Sequence, residues 1–302
     1  MVAHSKELFS YKTLVHAMAG SLGSMVGMSA FFPLDTVRSR LQLEESREAK
    51  NTFAVLQDLI REEGFVTLYR GIVPVLQSLC ASNFVYFYTF HGLKAMHAQY
   101  TQSAGKDLMF ASIAGVINVL TTTPLWVVNT RLKMSGVGHS PGHRSRPPRY
   151  SGLVDGLKRI SRDEGVGALW NGTLPSLLLV VNPALQMAVY EGIKRRMAGT
   201  DLGTAGYFLV GAIAKAVATT LTYPLQLLQT KLRHGHNYRD LPPDAGMVEL
   251  IVYILKKFGV AGLYKGMEAK VLQTVLTAAL MFAVYEKIAH FVFKVMLSQP
   301  RV

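Results

Sequence analysis

The chain has 302 residues, of which 50% are hydrophobic and only 17% are charged, whereas soluble domains usually carry about a quarter charged residues. Lysine and arginine outnumber aspartate and glutamate by 32 to 19, and the net charge of +13 suits nucleic acid, a lipid surface or an anionic solute. The single cysteine, Cys80, excludes an internal disulfide and any multi-cysteine zinc site.

Two short motifs divide the chain into three similar parts. The first is a proline that ends an apolar stretch, and it occurs at Pro33, Pro124 and Pro224. The second places an aromatic residue five positions after a glycine and then adds a basic or polar residue and another glycine; its copies span 63–71, 164–172 and 258–266. Ordered motifs in threefold register indicate tandem repeats. We expect one domain, 1–302, with repeats at about 11–100, 104–198 and 203–297.

Each repeat contains two apolar segments with a short amphipathic stretch between them. A helical membrane span needs about 20 residues, and six segments are long enough: 14–42, 72–95, 107–134, 173–196, 205–233 and 267–296. Serine, threonine, asparagine and glutamine interrupt them, as expected where one helix face lines a wet cavity. Short amphipathic helices are predicted near 52–63, 151–163 and 246–257. The sequence therefore predicts an all-α membrane protein with six transmembrane helices in three tandem pseudo-threefold repeats.

Other function classes lack their motifs. The sequence contains no HExxH, GxSxG or paired-histidine arrangement, so we expect no enzyme, no catalytic residue and no metal site. Zinc-finger spacing, an RNA-recognition motif and a glycine-rich phosphate loop are also missing, so the basic charge does not indicate nucleic-acid binding. A membrane scaffold that transports nothing is an alternative, although a scaffold does not need the polar and charged residues found inside these spans.

The two motifs resemble those of the mitochondrial carrier family (solute carrier family 25). Within that family, residues 82–90, 122–131 and 272–280 are similar to peroxisomal membrane carriers of adenine-containing cofactors. The resemblance implies exchange of coenzyme A, FAD, NAD and AMP or ADP across the peroxisomal membrane by alternating access. These molecules would be transported substrates, and no bound cofactor is expected. The alternative is a mitochondrial inner-membrane carrier of folate, FAD or pyrimidine nucleotides, because such carriers share the tryptophan at Trp126.

The resemblance also implies the partners of the chain. They are the lipid bilayer, small anionic solutes and, for a peroxisomal protein, the import receptor for peroxisomal membrane proteins. We expect a monomer. An even number of spans places both termini on one side of the membrane, which the resemblance identifies as the cytosolic side.

The resemblance implies a gate on the side of the motif prolines. Its charged positions lie two and five residues after each proline, and Gln42 matches a glutamine that braces such a gate. The six positions hold Asp35 and Arg38, then Trp126 and Asn129, then Gln226 and Gln229. Only the first repeat has charges there, so no acid–base pair can join these positions on different helices. We therefore expect this gate to be thinly held.

A second gate is implied at the opposite end, where family members carry an aromatic–acidic–x–x–basic pattern. The matching residues are His91 and Lys94 in the first repeat, Glu191 and Lys194 in the second, and Glu286 in the third. Glu191 and Glu286 can choose between Lys94 and Lys194, so we expect one or two ion pairs. Exposed pairs contribute only about 0–1 kcal/mol, which suits a gate that must open.

Substrate contacts are expected near the membrane midplane. By resemblance, they lie near Ser78, near Leu178 and Leu179, and near Gln273. Hydrogen bonds from Asn83, Asn182 and Gln186 are also predicted. Many relatives have arginine at the position of Gln273, so the phosphate anchor that it would provide is absent here.

Lys215 is the strongest binding candidate from the residues themselves. It lies nine positions before Pro224, inside the fifth apolar segment. A charge there costs at least about 2.5–3.5 kcal/mol against lipid, so Lys215 must face a cavity or a partner. Lys270 is the second candidate; it can contact the substrate or pair with Glu268.

Overall fold

A computed structural model describes residues 25–44, 47, 51–96, 104–134, 150–197, 203–235, 238, 240–242 and 245–280. Regular structure in these residues is helical, and one order of elements recurs in each repeat: a helix with the motif proline, a short amphipathic helix, a turn and a further helix. The helices are α1 Phe32–Leu43, α2 Thr52–Glu63, α3 Ile72–Met96, α4 Ala104–Met134, α5 Leu153–Asp163, α6 Thr173–Leu178, α7 Asn182–Arg196, α8 Gly203–His234, α9 Met247–Leu263 and α10, residues 267–280. The predicted all-α class is confirmed.

Four helical stretches among the described residues are long and apolar enough to cross a membrane. They are Phe65–Lys94, Gly105–Met134, Val166–Arg196 and Gly206–His234, and they match the second to fifth predicted spans. The first and sixth predicted spans lie partly outside the described residues; their described parts, 25–42 and 267–280, are helical apart from a break at Phe31.

The motif prolines occupy two different helical contexts. Pro33 lies in the first turn of α1, just after the break at Phe31, where a missing backbone N–H costs nothing. Pro124 and Pro224 lie inside the longer helices α4 and α8. The predicted span 173–196 is not one regular helix, because a 3-10 turn at Leu179–Val181 separates α6 from α7. Pro183 contributes to this break, since proline lacks the N–H that a continuous helix would use.

Three small cores join each amphipathic helix to the motif helix of its own repeat. In the first repeat, Val37 and Leu41 of α1 pack with Val55 and Leu59 of α2. The second and third repeats build the same core from α4 with α5 and from α8 with α9. The buried residues follow helical spacing on both partners, so the three predicted amphipathic helices are confirmed as helices.

Three glycines bring each repeat into close contact with the next. Gly71, Gly172 and Gly266 end the second motif and have φ values of 80°, 80° and 84°, which side chains rarely tolerate. A Cβ atom at Gly71 would lie 3.3 Å from Lys133, and one at Gly172 would lie 3.0 Å from the Gln229 carbonyl oxygen. At Gly266 it would lie 3.4 Å from the Arg38 carbonyl oxygen. We call these contacts the first, second and third seams; the third joins repeat 3 back to repeat 1.

Candidate functional site

Asp35 lies at the centre of a charged cluster on the proline side. Because α1 begins at Pro33, Asp35 falls in its first turn with Arg38 one turn later. The Arg38 guanidinium donates to Asp35 Oδ1 at 2.8 Å. The Lys133 ammonium, from α4 of the second repeat, donates to Asp35 Oδ2. The Asp35 side chain is only 4% exposed, so both bonds form in a nearly buried setting.

The ion pair of Asp35 with Lys133 crosses the first seam. It corrects the expectation that the proline-side gate is thinly held. The motif positions Trp126 and Asn129 offer no cation to Asp35, but Lys133 lies one turn beyond Asn129 on the same helical face. Its stem crosses Gly71, which has no side chain to block it. An ion pair thus joins repeats 1 and 2 through Lys133, which holds the position that Gln42 holds in repeat 1.

Bonds also cross the other two seams from the position nine residues after each motif proline. That position holds Gln42, Lys133 and Arg233. The Gln42 amide donates to the Tyr223 hydroxyl at 2.9 Å across the third seam, and this hydroxyl donates to the Lys265 carbonyl oxygen at 2.8 Å. Gln42 thus bonds a tyrosine here rather than bracing a charge pair.

At the second seam, α8 of repeat 3 reaches two residues of repeat 2. The Arg233 guanidinium lies 5.9 Å from the centre of the Trp126 ring, within cation–π range. It also donates to Ser176 Oγ at 3.1 Å, and Gln229 donates to the same oxygen at 2.7 Å. A serine and a tryptophan therefore take the place of acidic partners at this seam.

The two remaining predicted gate residues on the proline side, Gln226 and Asn129, make no side-chain hydrogen bond to another repeat within the described chain. Gln226 donates to Thr222 Oγ1 of its own helix at 3.1 Å. Asn129 is only 2% exposed, and neither atom of its amide finds a described partner. A buried amide left unpaired is costly, so Asn129 is destabilising where it lies in the described structure.

At the opposite end, Glu191 forms neither of the expected ion pairs with Lys94 and Lys194 in the described structure. Lys94 pairs instead with Asp107 at 3.2 Å, because Asp107 lies in the first turn of α4, directly after the connection from α3. Glu191 and Lys194 form no ion pair with described residues. His91 stacks on Phe87 with ring centres 6.2 Å apart. Glu286 lies outside the described residues, so its predicted pairing stays a prediction.

Lys215 and Lys270 are two further cations, and Lys270 lies near the Asp35 cluster of the proline side. Both are half-buried, on α8 and α10, and they lie within electrostatic reach of each other. Neither ammonium group makes a hydrogen bond or ion pair with a described residue. Glu268 does not pair with Lys270; its carboxylate accepts from the Thr52 backbone N–H at 3.4 Å. Two cations inside apolar helices thus lack a carboxylate in the described chain.

The predicted polar contacts have varied surroundings. Ser78 is fully buried and Gln273 is 5% exposed, and each has an oxygen without a described hydrogen-bond partner. The Gln273 amide nitrogen lies 3.8 Å from Met28 Sδ. Asn182 donates to Thr222 Oγ1 at 3.0 Å. The other predicted contacts are half-buried or exposed: Asn83, Gln186, Leu178 and Leu179.

Two ion pairs of buried arginines were not predicted from the sequence. Arg40 bonds Glu63 at 2.9 Å, and Arg131 bonds Glu164 at 2.8 Å. Each pair locks a motif helix to the end of the amphipathic helix of its repeat. The sequence does contain a pattern that could have predicted these pairs. A basic residue lies seven positions after each motif proline, and in repeats 1 and 2 a glutamate precedes the first glycine of the second motif. In repeat 3, Phe258 occupies the acidic position.

Comparison with known proteins identifies the class. The family model described as mitochondrial carrier protein matches three successive stretches, residues 9–101, 100–201 and 200–296. Together these cover nearly the whole chain. The chain therefore belongs to the mitochondrial carrier family, and it is a multi-pass membrane solute transporter rather than an enzyme.

Three of the similar proteins carry peroxisomal names. The peroxisomal membrane protein PMP34 of Mus musculus is 53% identical over 297 residues, which cover 96% of each chain. The peroxisomal nicotinamide adenine dinucleotide carrier of Arabidopsis thaliana is 30% identical and covers 91% of this chain and 95% of its own. The peroxisomal adenine nucleotide carrier 1 of Glycine max is 28% identical, with 96% and 95% covered.

Proposed function

We propose that this chain exchanges adenine-containing cofactors and nucleotides across the peroxisomal membrane by alternating access. Coenzyme A, FAD, NAD, AMP and ADP form the proposed substrate class. The names of two relatives, a carrier of nicotinamide adenine dinucleotide and a carrier of adenine nucleotides, support this class. The peroxisomal location is supported by the same two names and by that of the mouse relative.

The observation that carries the proposal is the pair Lys215 and Lys270. Both ammonium groups lie inside membrane helices without a carboxylate partner among the described residues. A charge held there needs a cavity or a partner of opposite sign, and every proposed substrate carries phosphate. We infer that the two lysines bind the phosphate groups, while Ser78, Asn83, Asn182, Gln186 and Gln273 supply hydrogen bonds and Leu178 and Leu179 line the path.

Alternating access requires one end of the path to close while the other opens. The proline-side gate would then consist of Asp35, Arg38 and Lys133, with the bonds of Gln42 and Arg233 closing the other two seams. Asn129, Gln226 and Gln229 complete this end. His91, Lys94, Glu191, Lys194 and Glu286 form the opposite gate.

The test is counter-exchange of labelled AMP and coenzyme A by the purified chain in liposomes. Lys215→Ala should slow exchange at subsaturating substrate by about tenfold or more, because one charge-assisted bond is lost. Lys215→Arg should retain part of the activity, since the charge remains while its geometry changes. The matched control is Lys158→Ala, which removes an exposed lysine of α5.

Each result decides a different part of the proposal. If Lys215→Ala exchanges AMP at the wild-type rate and unfolds at the wild-type temperature, Lys215 does not bind phosphate. A wild-type chain that moves folate or pyrimidine nucleotides instead would favour the mitochondrial alternative. A chain that moves no tested solute would favour a scaffold. Co-localisation of a tagged chain with mitochondrial rather than peroxisomal markers would contradict the proposed membrane.

A further inference from the structure

The third seam brings two cations of different repeats together. Gly266 packs against the Arg38 carbonyl oxygen, and Lys270 lies one turn further along α10. Lys270 is within electrostatic reach of Arg38 and also of Lys215 and Lys133. Among the described residues, Asp35 is the one carboxylate in this group, and it already accepts from Arg38 and Lys133. The described part of the cluster therefore holds four cations and one anion.

At the second seam, the position that corresponds to Lys270 holds an uncharged residue, Ser176. Ser176 lies four residues after Gly172, as Lys270 lies four after Gly266, and it accepts hydrogen bonds from Gln229 and Arg233 of the next repeat. Gln229 and Arg38 occupy the same place, five residues after their motif prolines. A serine–glutamine hydrogen bond at the second seam thus corresponds to a lysine opposite an arginine at the third.

Two like charges in a half-buried seam repel each other more strongly than they would in water. Asp35 cannot neutralise both, because its two oxygens are taken by Arg38 and Lys133. Arg38 still has a buried Nε without a described hydrogen-bond partner. The seam therefore lacks an anion with several acceptor oxygens, and a phosphate group has that chemistry.

We propose that the third seam is a phosphate-binding site in which one phosphate group bridges Lys270 of repeat 3 and Arg38 of repeat 1. This inference rests on the proposed function, and it deepens that function by placing a phosphate of the substrate between two repeats. An empty carrier meets the repulsion of Lys270 and Arg38 when its proline side closes, whereas a loaded carrier closes around an anion. Closure then depends on cargo, and the chain works as a strict exchanger.

Thermal unfolding of the purified full-length chain tests the site without any nucleotide. Inorganic phosphate should raise the wild-type unfolding temperature by a few degrees over sodium chloride at equal ionic strength and pH. Lys270→Gln should unfold at a higher temperature than wild type in chloride, because the repulsion is gone, and should lose the phosphate effect. Lys270→Arg should keep the effect. The exposed control Lys158→Gln should behave as wild type.

Transport gives a second readout. The rate of AMP efflux into AMP-containing medium, divided by the rate into AMP-free medium, should be high for wild type and fall about tenfold in Lys270→Gln, because the empty carrier can then close. The inference is overturned if Lys270→Gln lowers the unfolding temperature in chloride and keeps the phosphate shift, or if the efflux ratio is unchanged. A wild type that is stabilised by phosphate but moves no AMP would refute the proposed function and support the phosphate site.

Discussion

The carboxylate of Asp35 on α1 accepts a hydrogen bond from the ammonium of Lys133 on α4, a residue 98 positions further along the chain. This pair joins two repeats at the proline side of the molecule. Both partners are largely buried, with side-chain exposures of 4% and 12%. Lys133 also lies over the Phe32 ring at 5.0 Å, which holds its stem against α1. The contact is therefore suited to hold one end of the path closed.

The first prediction is an energetic coupling between these two residues. Asp35→Asn and Lys133→Gln should destabilise the chain singly, and the double variant should lose less than the sum, with a coupling of at least about 1 kcal/mol. Thermal unfolding of all four proteins in one detergent measures it. The exposed pair Asp155 and Arg159 on α5 is a control that should show much weaker coupling. A coupling near zero for Asp35 and Lys133 would contradict a closing role.

The second prediction concerns Gly172 and Gly71, which share a φ of 80° and the same place in the second motif. Alanine at 172 would put its Cβ 3.0 Å from a backbone oxygen of Gln229, which cannot easily move. Alanine at 71 would meet a flexible lysine side chain at 3.3 Å. Gly172→Ala should therefore slow exchange in liposomes more than Gly71→Ala. Equal rates would mean that backbone strain alone matters.

The third prediction uses the unpaired amide of Asn129. Asn129→Lys places a second ammonium one turn from Lys133, on the helical face that meets Asp35. Because Arg38 and Lys133 already take both oxygens of Asp35, the added ammonium meets like charges there, so it should weaken closure of the proline side and change the exchange rate relative to wild type. Asn129→Ala adds no charge and should exchange at a rate closer to that of the wild type. Initial rates in liposomes decide the matter, and equal rates for the two variants would show that this end is not limited by charge pairing.

The fourth prediction compares the ion pair of a buried arginine with the pair of an exposed one. Glu164→Gln leaves Arg131, only 6% exposed, without its carboxylate. Because Glu164 is itself 36% exposed, the chain should be destabilised by about 1–2 kcal/mol. Asp155→Asn leaves the exposed Arg159 in water and should change stability little. Denaturant or thermal unfolding of both variants gives the comparison. A similar small effect for both would mean that Arg131 finds another partner.

Much of the framework could be predicted from the sequence. The amphipathic helices near 52–63, 151–163 and 246–257 were placed to within a few residues of α2, α5 and the first part of α9. Hydrophobic periodicity is a local property, so it survives the loss of all tertiary information. The break at Leu179–Val181 was not predicted, because hydrophobic periodicity alone does not indicate a 3-10 turn, although Pro183 is a local signal for it.

The candidate site was predicted less completely. The motif positions identified Asp35, Arg38 and Asn129 as neighbours of the proline-side end, and Lys215 followed from its charge inside an apolar segment. Lys133 and Arg233 hold the position of Gln42 in the other two repeats, and they were overlooked because this position was considered in the first repeat alone. Lys94 was expected as one of two choices for Glu191 and Glu286, yet it pairs with Asp107 in the first turn of the next helix.

The sequence by itself determined the threefold repeat, the helical class and the residue types available at each repeat position, because these follow from spacing and composition along one chain. Only the tertiary structure decided which residues meet across the seams. Contacts such as Asp35 with Lys133, Gln42 with Tyr223 and Arg233 with Trp126 join residues far apart in the chain. They depend on how close one repeat approaches the next, and that distance is set by glycines that leave room for the neighbouring helix.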